Sequence, residues 1–279
     1  MNRGGGWFLA APLASAGCAD QGKFLVGTEV WDLTGFSPLQ LLLAVLIIFT
    51  AGVVRGFSGF GFSMVAVTGL SLLRPPAEVV PMVLMLEMLA SVHLLPSVWH
   101  HIDWRSLRLL LAGMVGATPV GVWLLASVPA DQMRVVVSLL VVTAAAALWS
   151  GWRMQRPPGA KLTLATGALS GFLNGTASIA GPPVILFYFS SPSAVDVSRA
   201  SLIAFFLGTD LIALAFGGVF GLVRGAAFAR TAVLVLPVAL GVALGRRCFG
   251  TTNPEVFRRL VLVLLMALSA AGLIRALAG

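Results

Sequence analysis

The chain has 279 residues, of which 58% are hydrophobic and only 10% charged. An average soluble protein is ~25% charged, and one core of this length could not hide so much apolar surface. The formal net charge is +8, but no basic stretch has the interleaved aromatics or sustained Lys/Arg content of a nucleic-acid surface.

Three runs carry no charge at all: Leu109 to Ala130, Val135 to Trp152, and Leu162 to Val195. A bilayer core takes ~20 apolar residues as helix, so these runs read as spanning segments. The charges fall mostly between such runs, as basic residues do in loops that stay cytoplasmic. The expected fold is an all-α integral membrane protein, and the lipid bilayer is its first partner.

The first residues, through Ala19, faintly resemble a secretory signal with Arg3 and a small-residue end. Their apolar part is short and broken by Pro12, so a mobile polar tail over 1–36 is expected. Ser37-Pro38 is a suitable helix start. A first helix is expected from Leu39 to about Val54, then a Gly-rich break at Arg55, Gly56, Gly59 and Gly61. A short apolar piece follows from Phe62 to Leu73, stopped by Arg74-Pro75-Pro76. Further segments are expected over about Val79 to Trp99, Leu107 to Val128 and Met133 to Trp152. This first unit covers 37–153, and the Pro-rich stretch 154–161 is a linker.

The unit 162–279 repeats the plan. A helix runs from Leu162 to about Leu173, and the break is Asn174, Gly175, Gly181, Pro182 and Pro183. A short piece follows over Val184 to Phe189, then segments over about Ser198 to Val223, Phe228 to Leu244 and Val256 to Leu277. Gly52-Val-Val-Arg-Gly56 aligns with Gly171-Phe-Leu-Asn-Gly175 at an offset of 119. Two tandem repeats of about five helical segments, with short or broken helices, are therefore expected. An odd number of crossings per unit would invert one repeat against the other. Counting basic residues on that basis puts the N-terminus outside; if the short pieces are re-entrant, the bias vanishes.

Matched helix breaks point to a transport site, because a break at membrane depth frees backbone groups that lipid cannot satisfy. Gly52 and Gly171 read better as close-packing glycines; Gly56 through Gly61 and Gly175 through Pro183 read as the breaks. Arg55 could hold an anion beside freed amides, or snorkel from a helix end. Its counterpart is Asn174. Ser58, Ser63, Thr176, Ser178 and Tyr188 could contact a solute or bond neighbouring helices. Of ten acidic residues, only Glu87 and Asp210 fall mid-segment. They lie 123 residues apart, at similar places in the two units, and each is costly at the bilayer centre unless paired, hydrated or protonated. They form either a proton- or cation-linked relay or structural pairs with Arg55, His93 or a backbone donor. His93 itself reads as a packed histidine.

The two cysteines, Cys18 and Cys248, form no Cys-x-x-Cys, and no His-Glu-x-x-His or Walker motif occurs. Neither metal nor other cofactor is expected. Gly56-Phe57-Ser58-Gly59 matches the Gly-x-Ser-Gly of rhomboid proteases, but too few segments precede it, and an enzyme is not expected.

The run Gly171-Phe-Leu-Asn-Gly175-Thr-Ala-Ser-Ile-Ala-Gly181-Pro182-Pro183-Val-Ile-Leu-Phe-Tyr188 resembles the second Gly-rich motif of the sulfite exporter TauE/SafE family. The first-unit counterpart is looser, with Gly59-Phe-Gly61-Phe where family members often carry three adjacent glycines. The likeness covers about Ser37 to Leu277. It implies export of a small sulfur-containing or organic anion, such as sulfite or a sulfonate; together with the paired breaks, the expected function is a secondary carrier of the bacterial inner membrane whose two units move around a midplane site. A passive channel and a non-transporting scaffold are the alternatives, and assembly as a homo-oligomer is open.

Overall fold

The computed structural model describes residues 34–58, 60–149, 158–190, 195–248, 263–272 and 274. The N-terminal tail to residue 33, most of the linker and the ends of the last segment lie outside these residues. The described residues are helical, without strands. Ten helices succeed one another: α1 (Pro38–Ser58), α2 (Phe62–Ser71), α3 (Pro76–Val98), α4 (Trp104–Ser127), α5 (Ala130–Trp149), α6 (Ala160–Ala177), α7 (Gly181–Ser190), α8 (Val195–Val219), α9 (Gly225–Cys248) and α10 (Val263–Gly272). A single 3-10 turn, Trp99–His101, joins α3 to α4.

The helix starts are set by local chemistry. At α1, Ser37 Oγ accepts from Gln40 N (3.2 Å) and Gln40 Oε1 accepts from Ser37 N (3.1 Å). This reciprocal cap satisfies two orphan donors. At α4, Asp103 Oδ1 accepts from the amides of Arg105 and Ser106. α4 starts three residues before its apolar run because the Asp103 cap is part of the helix signal and not of the hydrophobic one.

Among the described residues, five helices are long and apolar enough to cross a membrane: Pro38–Phe57, Trp104–Ser127, Ala130–Ala147, Asp196–Val219 and Gly225–Arg247. Their outer faces expose Leu39, Leu42, Leu46, Val120, Trp123, Leu236 and Leu240. Buried instead are Arg55, Glu87, Asn174 and Asp210. Apolar outside and polar within is the arrangement that suits lipid as solvent. α2 and α7 have ten residues each, about 15 Å of helix against a hydrocarbon core of ~30 Å.

Two seams dominate the packing. α1 lies along α9, and α4 along α6, in both cases parallel. A Cβ on Gly52 would come within 2.9 Å of Val238 O, and one on Gly56 would overlap the Val242 carbonyl; Gly241 and Gly245 face Phe49 and Val53 in the same way. In the other seam Gly113, Gly121, Gly167, Gly171 and Gly175 bring α4 and α6 backbone to backbone. Gly52 and Gly171 are thus packing glycines, as expected. α3 and α8 pack against each other across the middle.

Contacts at the helix ends gather into two groups. Arg230 Nε donates to Thr34 O (2.7 Å) and its Nη1 pairs with Glu78 (2.7 Å). The guanidinium groups of Arg74 and Arg230 both sit over the Phe36 ring. Arg134 Nε donates to Ser71 O (2.9 Å). These residues belong to the starts of α1, α3, α5 and α9 and the end of α2. At the second group, Ser201 Oγ accepts from Asp103 N (2.9 Å), and the Ser106 and Tyr188 hydroxyls share a hydrogen bond (2.9 Å). These residues belong to the starts of α4 and α8 and the end of α7.

Candidate functional site

The first break is narrower than the sequence suggested. α1 continues through Arg55 and Gly56 to Ser58, and α2 begins at Phe62. The glycine at 61 is left-handed (φ 86°) and caps α2, a conformation that glycine adopts without the Cβ penalty. α2 then folds back along α1: Gly61 lies against Val54, and Gly69 against Ile47. The second break is likewise confined to 178–180, because α6 continues through Asn174, Gly175 and Thr176 to Ala177. Ser178 is left-handed (φ 56°), the one such non-glycine among the described residues. Its N–H reaches Asn174 O (2.8 Å), and Ile179 N–H reaches Leu173 O (3.3 Å). Pro182 and Pro183 fall in the first turn of α7, where a missing N–H costs no helix bond.

The matched elements keep the offset. α2 and α7 start at 62 and 181, and α3 and α8 at 76 and 195, each 119 apart.

Near the breaks the four mid-membrane polar residues meet in pairs. Arg55 Nη1 contacts Glu87 Oε1 at 2.5 Å, and Arg55 Nη2 donates to Ser91 Oγ at 3.1 Å. The second Glu87 oxygen, Oε2, accepts from Ser63 Oγ in the first turn of α2. In the other half, Asn174 Nδ2 donates to Asp210 Oδ1 at 3.3 Å. Arg55 and Ser91 are 36 residues apart, as are Asn174 and Asp210. Asp210 therefore answers to Ser91 and not to Glu87, which lies one helical turn before Ser91. The similar places expected for the two acids are offset by that turn.

Of the structural pairings expected for Glu87, with Arg55, His93 or a backbone donor, the chain adopts the ion pair with Arg55. Among the described residues no cation is bonded to Asp210; Asn174 is its partner, and Glu87 and Arg55 are the charged groups that act on it. Asp210 Oδ2, Asn174 Oδ1, Ser178 Oγ and Ser170 Oγ are buried without a hydrogen-bond partner among the described residues. Ser170 and Asn174 are four apart on α6 and share one buried face, and Ser178 caps that helix.

Other expected site residues are placed differently. Gly56 and Gly175 serve the two seams. Thr176 Oγ1 donates to Phe172 O within α6 (2.7 Å). Tyr188 bonds Ser106 at the far end of α7, seven residues and about 10 Å of helix from Gly181. The side chains of Ser58 and His93, and residue Gly59, lie outside the described residues. Ser91 and Ser170 were not singled out from the sequence; adding 119 to Ser91 gives Asp210, and that was the available signal.

The sulfite exporter TauE/SafE family model matches residues 44–272. A curated relative, the probable sulfite/organosulfonate exporter TauE of Cupriavidus necator, is 28% identical over 222 residues, which is 77% of this chain and 86% of that one. No solved structure matches.

Proposed function

The chain belongs to the sulfite exporter TauE/SafE family, and we propose that it is a multi-pass secondary carrier of the bacterial inner membrane that exports a small sulfur-containing or organic anion of the sulfite and sulfonate class. It is not an enzyme. Flux is coupled to a proton or another ion through Glu87 and Asp210. The anion binds where the two breaks meet, near Arg55, Ser63, Gly61, Asn174, Ser178 and the Gly181 to Pro183 turn.

The observation that carries this reading is the buried Arg55 at the first break. A fixed cation in the middle of apolar helices, 4% exposed, is costly in lipid and marks an ion pathway. The two repeats, 37–153 and 162–279, are inverted in this reading. What supports inversion is that α1 and its parallel neighbour α9 start at the Arg74, Glu78 and Arg230 end, whereas α6 and its parallel neighbour α4 start at the Asp103 and Ser106 end. The two helical hairpins, α1–α2 and α6–α7, then enter from opposite sides.

The test is efflux of sulfite, taurine and sulfoacetate from proteoliposomes, with and without an imposed pH gradient. Wild-type flux that responds to the gradient and is lost in Glu87→Gln and Asp210→Asn is expected. Flux that ignores the gradient would favour a passive channel. A folded protein that moves none of these anions would remove the substrate class.

A further inference from the structure

The Glu87 carboxylate is held in a cradle built for an oxyanion. One oxygen faces the Arg55 guanidinium and the other the Ser63 hydroxyl, on two different helices. Ser63 lies in the first turn of α2, and the N-terminal end of a helix favours negative charge. Arg55, Glu87 and Ser63 are all buried, at 4%, 4% and 8% exposure. A carboxylate and a sulfonate present the same feature to such a cradle: oxygens that accept charge-assisted hydrogen bonds.

We propose that Glu87 is the cradle's built-in occupant, and that a transported sulfonate or carboxylate replaces it on Arg55 and Ser63 while Glu87 takes up a proton. The proposal rests on the anion-carrier reading and names its binding atoms. Charge arithmetic requires the proton. Arg55 contributes one positive charge and Glu87 one negative, so the buried pair is neutral and cannot take an anion into low dielectric unless Glu87 is neutralised. Among the described residues, the groups around Glu87 leave no other source of compensation. From α1 it faces Arg55, from α2 Ser63, from α8 Asp210, and from α6 the neutral Asn174 beside Asp210. On α9, Arg230 is engaged by Glu78 and Thr34; on α5, Arg134 is engaged by Asp131 and Ser71. The step balances as one anion and one proton in, with the Arg55–Glu87 ion pair exchanged for an Arg55–anion pair and a neutral Glu87.

The experiment is calorimetric binding of methanesulfonate, whose charge does not change with pH in the working range, to the purified full chain in detergent. One proton taken up per anion makes the dissociation constant rise about tenfold per pH unit above the range where Glu87 is protonated. Wild type should show this slope, and Glu87→Gln should bind at alkaline pH as tightly as at acid pH. Gly116→Ala, with nothing within 4 Å of the new Cβ, should keep the wild-type slope. If Glu87→Gln does not fold, proton uptake by wild type in weak buffer on adding methanesulfonate should be about one per anion. Binding with equal slopes in wild type and Glu87→Gln, or binding with no proton uptake, would overturn the proposal and leave the carrier reading intact. No binding at any pH would overturn both.

Discussion

Removing the Arg55 side chain charge has a cost that can be worked from the contacts it makes. In Arg55→Met, Glu87 loses its cation at 2.5 Å and keeps only Ser63, while Ser91 loses the Nη2 donor. Breaking one side of a buried ion pair costs about 3–5 kcal/mol, most of it from the charge left uncompensated. Both partners are almost wholly buried, so solvent screening offers little relief. Replacing both by apolar groups of similar size is often neutral, so Arg55→Met/Glu87→Met should recover most of the loss. The assay is unfolding of the four proteins of the cycle in one detergent, and the expected coupling energy is about 3 kcal/mol. The double variant should be stable yet unable to move or bind the anion. Effects that add within about 0.5 kcal/mol would mean no coupling, and the ion pair would not be what holds α1 to α3 at this point.

The glycine seams give a matched pair of expectations. Gly56→Ala puts a Cβ into the Val242 carbonyl of α9 and should cost about 1–3 kcal/mol of stability, whereas Gly116→Ala, with nothing within 4 Å of the new Cβ, should gain up to about 1 kcal/mol from helix propensity. Thermal unfolding of the two variants distinguishes a seam from a tolerant position. At the second break, Ser178→Gly relieves a left-handed residue (φ 56°) whose hydroxyl has no partner and should stabilise by about 1 kcal/mol, while Ser178→Val should destabilise by at least as much. Equal stabilities for the two Ser178 variants would show that the backbone there is unstrained.

Much of the helical plan could be read from the chain. Uncharged runs located most of the long helices, and the offset of 119 located the second break from the first. What escaped has identifiable causes. A glycine without its Cβ serves a break and a backbone-to-backbone crossing equally well, so Gly56 and Gly175 signalled breaks while sitting in seams; the breaks themselves turn on Gly61 and Ser178. Tyr188 falls seven residues after Gly181 in the same motif, yet a helix of ten residues carries it to the opposite end of the hairpin. The Arg55–Glu87 pair was one of several open pairings, because a sequence gives faces of helices and not which faces meet. Ser91 lacks charge and so drew no notice, although its spacing from Arg55 equals that of Asp210 from Asn174.

The seams also change which bodies can move. The sequence suggested two repeats rocking against each other, but that motion would tear α1 from α9 and α4 from α6, where helix backbones touch with no side chains between them. A packed seam of this kind is bistable at best and does not slide smoothly. The two seams instead suggest one body of α1, α2, α3 and α9 and another of α4, α6, α7 and α8, each drawing on both repeats, with α5 touching helices of both. The bodies meet where α3 packs on α8, so Glu87 on one and Asp210 on the other face the joint between them. A change of charge at either acid then acts directly on that joint. Spin labels at Leu46 and Leu240, exposed on α1 and α9, should keep their distance when methanesulfonate is added; labels at Leu89 and Leu211, exposed on α3 and α8, should change theirs. A shift between Leu46 and Leu240 as large as that between Leu89 and Leu211 would show that the seam yields, and would restore the repeats as the moving bodies.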